Sequence, residues 1–141
     1  MATLAQLAAG LQTRLATISG LRAEDYWPSS LNPPVGIALV WPMQRATLGG
    51  DRIYGFIIEL IVSVADVERA QASIYGYMDV SGTNSILAAI EAGDTLGGLA
   101  AFTQTDEPGQ GWARPELREI PPGSGKVYMA ATLTGSIWVA I

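Results

Sequence analysis

Residues 52–64 read RIYGFIIELIVSV. Tyr54, Phe56, Ile58, Leu60, Val62 and Val64 occupy alternate positions, with Ile57, Glu59 and Ile61 between them. Successive side chains of a strand point to opposite faces, so this period of two predicts a strand with one apolar face. It is longer than the usual length of about five or six residues. Upstream, residues 35–41 read VGIALVW, nearly all apolar and β-rich, which predicts a strand buried on both faces and closed by Pro42. Between the two lies PMQRATLGGD, residues 42–51, a polar connection with Gly49 and Gly50 as turn formers. Together they predict a long β-hairpin with a projecting tip.

The flanking segments supply helices. Thr3 followed by Gln6 has the capping-box spacing, and Leu4, Leu7, Leu11, Leu15 and Ile18 form one apolar stripe up to a stop at Gly20. Asp66 is suited to cap a second helix through Val67, Ala70, Ile74 and Met78. After Ser81 and Gly82, Thr83 or Asn84 opens a short third helix carrying Ile86, Leu87 and Ile90. Strands are then expected at residues 99–105, at 112–120 with an interruption at Pro115, and from Val127 to the end of the chain. Residues 1–141 thus read as a single α+β domain, a mainly antiparallel β-sheet with helices packed on one face.

Composition narrows the function. Of 141 residues, 49% are apolar and 15% charged, against about 25% charged in an average soluble protein. That excludes intrinsic disorder and leaves too few charges to coat the exterior, so apolar surface is expected to meet a partner. The net charge is −5, lysine occurs only at Lys126, and the seven arginines are scattered. Nucleic-acid binding and anionic membranes both require clustered cations, so neither is expected as a partner. No stretch combines the length and apolarity of a membrane helix, and the amino terminus lacks the basic region of a signal peptide.

The catalytic inventory is thin. Cysteine and histidine are absent, which removes thiolate chemistry, the commonest general base and the commonest zinc ligand. Gly123-Ser124-Gly125-Lys126 resembles the end of a phosphate loop, but Ile120 and Val127 stand where glycine and a hydroxyl residue are needed. Asp106 with Glu107 and Glu116 with Glu119 are the carboxylate pairs, and both fall in polar loop or edge segments. Glu59 lies among isoleucines and leucine, so it must be paired or face solvent. Arg45, Arg52 or a neighbouring subunit's arginine are its candidate partners, and an outward position on an edge strand is the alternative. Trp112, beside Gly109 and Gly111, has the setting of an interface anchor at a loop tip. No cofactor and no enzymatic activity are expected.

The opening helix running into GLRAEDYWPSSLNPPVGIALV (20–40), then GTNSILAAIEAGDTLGG (82–98), then an uncharged closing strand, resembles the tail terminator proteins of phages with long, non-contractile tails. The likeness spans most of the chain and rests on order and texture rather than on a catalytic motif. It implies a homohexameric ring on the head-proximal end of the tail tube, which ends tube polymerisation and joins the tail to the head connector. The implied partners are further copies of the chain, the tail tube protein and the head–tail connector protein. DNA would pass through the lumen without specific binding, and the mature location would be the virion. The chain departs from the pattern in loop content, at TLGGD (47–51) and EPGQGW (107–112).

On this reading the loop 42–51 and the tip 106–114 lead the contacts, and the candidate interface residues are Arg45, Leu48, Asp51, Arg52, Glu59, Asp106, Glu107, Trp112 and Arg114. A heterologous contact closes into a ring when its rotation closes, and it needs two different patches per subunit. The competing readings are a head–tail connector or stopper subunit, a small carboxylate-and-metal enzyme, and a monomeric ligand-binding domain.

Overall fold

The computed structural model describes residues 2–45, 52–105 and 111–140, and the side chains of residues 44 and 45 lie outside that description. Helix α1, Leu4–Leu15, starts with the expected capping box: Thr3 Oγ1 accepts from the Gln6 amide and Gln6 Oε1 accepts from the Thr3 amide. Leu7, Leu11 and Leu15 are buried, while Leu4 is exposed. The helix ends earlier than expected, capped at Ala16, because Thr17 and Ile18 bond back to the carbonyls of Arg14 and Leu15. Gly20 adopts a positive φ in the turn beyond.

Strand β1, Arg22–Glu24, lies parallel to β2, Val35–Arg45, which pairs antiparallel with β3, Arg52–Ser63. Pro42 does not close β2. The strand runs on to Arg45 through a bulge at Met43, where one extra residue absorbs the irregularity. Helices α2 (Val67–Met78) and α3 (Ile86–Glu91) follow, then β4 (Phe102–Thr105), β5 (Glu116–Glu119) and β6 (Val127–Val139). The Asp66 carboxylate accepts from the amides of Glu68 and Arg69, capping α2 as expected. The cap of α3 is Ser85 rather than Thr83 or Asn84.

The sheet order is β1-β2-β3-β6-β4, with β5 also on β6, so β3 is central. Thr105 faces Gly135 and Trp112 faces Leu133. Between these two pairs one side therefore advances seven residues while the other advances two. Pairing resumes at once, with Ala113 N donating to Thr132 O and Thr134 N to Gly111 O. Strand β4, the Trp112 bridge and β5 are thus one interrupted edge strand laid along β6.

The even face of β3 carries Phe56, Ile58 and Leu60 into the main core, where Leu7, Leu11, Leu15, Ile74, Ile86 and Ile90 of the helices meet it. Each such side chain contributes about 1.5–3 kcal/mol on burial. The helices are therefore on one face of a largely antiparallel sheet, an α+β fold. A second, smaller cluster of Val35, Ile37, Ile61 and Ala130 lies on the other face, with Leu31, Ile120 and Tyr128 packed against it. The strand is buried on both faces at 35–38, but the burial expected as far as residue 41 fails there, since Leu39 and Val40 are half-buried and Trp41 is 42% exposed.

Candidate interaction surfaces

Among the described residues, that second face has its buried apolar cluster only at one end. Towards the β2–β3 turn, cross-strand register sets Leu39 and Trp41 of β2 beside Ile57, Gly55 and Ile53 of β3. Next to these lie Thr134, Ser136 and Trp138 of β6, then Gln104 and Phe102 of β4. None of these residues is charged. Trp41 is 42% exposed, and Phe102, 37% exposed, stacks on Trp138 with ring centroids 5.2 Å apart. The glycine at 55 is what lets the Trp41 ring lie close against the sheet.

The border between the covered and bare halves is an ion-pair group. Arg118 of β5 donates to Glu59 at 3.2 Å and to Glu116 at 2.8 Å. The Glu59 side chain is only 13% exposed. The guanidinium pKa is raised, chiefly by its hydrogen bond to Glu116 and against the opposing effect of burial, with Glu59 adding to the rise. This corrects the expectations for Glu59, which sits on the central strand rather than on an edge and takes its partner from β5. Arg52 lies seven residues away along β3, about 23 Å at strand rise, and on the opposite face.

The other predicted interface residues divide. Leu48, Asp51, Asp106 and Glu107 lie outside the described residues. Arg45 is the direct register partner of Arg52 at the last pair of the hairpin. Arg52 Nε is buried without a hydrogen-bond partner among the described residues. Arg114 is exposed, at the point where the edge strand takes one extra residue before β5. Trp112 corrects its expectation: it belongs to the edge strand and packs partly buried against the main core.

Sequence reasoning missed the convergence of Trp41, Trp138 and Phe102, because residues so far apart meet only through strand register. The one available signal was Gly55, an interruption in an otherwise bulky run. A further exposed patch is formed by Tyr26 (57%) and Trp27 (51%), directly after Glu24 and Asp25. The Glu24 carboxylate holds the Tyr26 hydroxyl above its ordinary pKa.

Among the described residues, no three of His, Cys, Asp and Glu converge as metal ligands. The main hollows are open and small: about 290 Å³ beside Asp66 and Arg69, about 100 Å³ between α3 and β4, and two of about 220 and 310 Å³ around Arg22 and Asn32. Among the described residues, no helix is long and apolar enough to cross a membrane. No protein-family model and no curated protein matches the chain. The surfaces themselves therefore carry the functional argument.

Proposed function

We propose that the protein is a structural subunit of a phage virion, a tail terminator that assembles as a homohexameric ring on the head-proximal end of the tail tube. The observation that carries this reading is the bare half of the sheet, an uncharged surface with Trp41 and Phe102 exposed on it. Apolar and aromatic residues at this density mark the centre of a protein–protein contact. The net charge of −5 adds to it, since an acidic ring lets DNA pass through its lumen without holding it. The resemblance in chain order supplies the specific role: ending tube polymerisation and presenting a surface to the head–tail connector.

The test is to mix the purified protein with assembled tail tubes and image them. Rings seated at one end of each tube, with tube growth stopped, are the expected result. Binding to portal-like complexes with tube ends left bare replaces this role with that of a head–tail connector or stopper subunit.

A further inference from the structure

A surface helix ordinarily carries charge on the side turned to water, and α1 does not. Leu7, Leu11 and Leu15 face the core, while Ala5, Ala9 and Thr13 follow one another at spacings of four on the opposite side, all exposed. The one charged residue of the helix, Arg14, is half-buried and turned onto α3, where its Nε donates to the Ala89 carbonyl at 2.8 Å. By contrast, exposed Glu68 and Arg69 lie on α2, and exposed Glu91 ends α3. The polar oxygens on the outer side of α1 are already bonded within the helix. Thr13 Oγ1 donates to the Ala9 carbonyl at 2.9 Å, and Gln6 Oε1 accepts from the Thr3 amide. Covering this side therefore strands neither a hydroxyl nor a carboxylate.

The bare half of the sheet has the same electrical character, from Trp41 across to Ser136 and Phe102, with the Arg118 ion pairs at its border. A chain of net charge −5 repels its own copies, so two copies meet at least cost where neither surface is charged. The dimensions agree. Helix α1, with 12 residues, is about 18 Å long and about 10 Å wide. The bare half spans the spacings from β2 to β4, about 14 Å, and the rise from Thr134 to Trp138 adds about 14 Å along the strands. Alanines present little bulk, which suits a surface whose relief is made by rings, Trp41 laid over Gly55 and Phe102 stacked on Trp138. The two surfaces lie on opposite sides of the subunit, because α1 packs on the core face of the sheet and the bare half is on the other. A contact between them joins different patches of successive copies and is therefore head-to-tail, the kind that closes into a ring. We infer that the bare half of one copy's sheet receives the charge-free side of helix α1 of the next, making a helix–sheet–helix sandwich across the subunit boundary. The inference rests on the ring reading for its premise that copies of the chain assemble.

The chain has no cysteine, so introduced thiols are the only ones present. Full-length Ala9→Cys and Ser136→Cys proteins are mixed under a mild oxidant, and disulfide-linked dimers are followed by mass spectrometry without reductant. Trapping accumulates brief encounters, so it reads the contact even where most of the protein is monomeric. The control mixes Ala72→Cys, at an exposed position of α2, with Ser136→Cys. The expected result is that Ala9→Cys and Ser136→Cys form mixed dimers at least tenfold faster than the control pair, and faster than either links to itself. Circular dichroism checks folding, and Gln104→Cys, exposed on the same face beside Ser136, replaces Ser136→Cys if that variant does not fold. A mixture no faster than the control overturns the docking. Ser136→Cys dimers that outrun the mixed ones overturn it too, because they place sheet against sheet. Either result leaves the ring reading to the tail-tube experiment, whereas bare tube ends beside a pair that cross-links as expected refute the terminator role and leave this contact standing.

Discussion

Trp41 lays its indole against Gly55, its register partner across the β2–β3 pair, so closely that a Cβ on Gly55 would stand 2.5 Å from Cε2 of the ring. The ring is 42% exposed at the end of a flexible side chain and can swing away. Gly135 is different: a Cβ there meets the fully buried ring of Phe56 and the backbone carbonyl of Gln104. Gly135→Ala is expected to cost about 3 kcal/mol, as overpacking does where neighbours cannot yield, and Gly55→Ala less than about 1 kcal/mol. Urea unfolding of both variants checks this, and equal losses would refute the account of Trp41. A change in tryptophan fluorescence should accompany Gly55→Ala alone.

The two carboxylates on Arg118 should separate in a similar comparison. Glu59 is nearly enclosed and Glu116 is 56% exposed. Removing Arg118 leaves Glu59 enclosed without its counter-charge, so Arg118→Ala is expected to cost about 1–3 kcal/mol. Glu116→Ala removes only a solvated pair and should cost about 0–1 kcal/mol. A double-mutant cycle on Glu59 and Arg118 measures the coupling directly, and a value near zero would show that the pair contributes nothing.

Ser85 is 2% exposed and does two jobs at the start of α3. Its hydroxyl donates to the carbonyl of Asp79 at 2.5 Å and accepts from the Ala88 amide at 3.0 Å. Ser85→Ala strands both groups and is expected to cost about 1–2 kcal/mol. Thr83→Ala and Asn84→Ala touch exposed positions and should lie within about 0.5 kcal/mol of the parent. Thermal melts of the three variants decide whether the cap is correctly placed.

Alkaline pH should expose the burial of Tyr77. Burial raises its hydroxyl above the ordinary value of 10, so the folded protein holds that proton more tightly than the unfolded chain does. The resulting stability is fully present below the unfolded value and is lost as pH rises through the folded one. Tyr77→Phe should therefore show a smaller fall in urea midpoint between about pH 9 and 11 than the parent. Tyr26 is shifted in the same direction by Glu24 but is exposed, so Tyr26→Phe should change this slope less. Identical slopes for Tyr77→Phe and the parent would refute the assignment.

Much of the fold was legible before any coordinates. The alternation over residues 52–64 identified β3 and its core face correctly, because a period of two is a local property of the backbone. Thr3 with Gln6, and Asp66, announced their helices for the same reason: a cap is satisfied by amides two or three residues away. Local signals erred where competing local bonds decided the boundary. Pro42 signalled a strand end, yet a bulge carried β2 past it, and Ser85 won the cap of α3 because the Asp79 carbonyl was there to accept a hydrogen bond from its hydroxyl.

The candidate surfaces were far less legible. The sequence by itself determined that the chain is charge-poor and that it folds as α+β. Only the tertiary structure decided that Trp41, Trp138 and Phe102 share one bare face, that Arg118 rather than Arg45 or Arg52 answers Glu59, and that Trp112 turns inward. Periodicity and capping are settled over a few residues of chain. Which strand lies beside which, and which loop folds over which face, is settled by contacts between segments dozens of residues apart, and no local pattern encodes them.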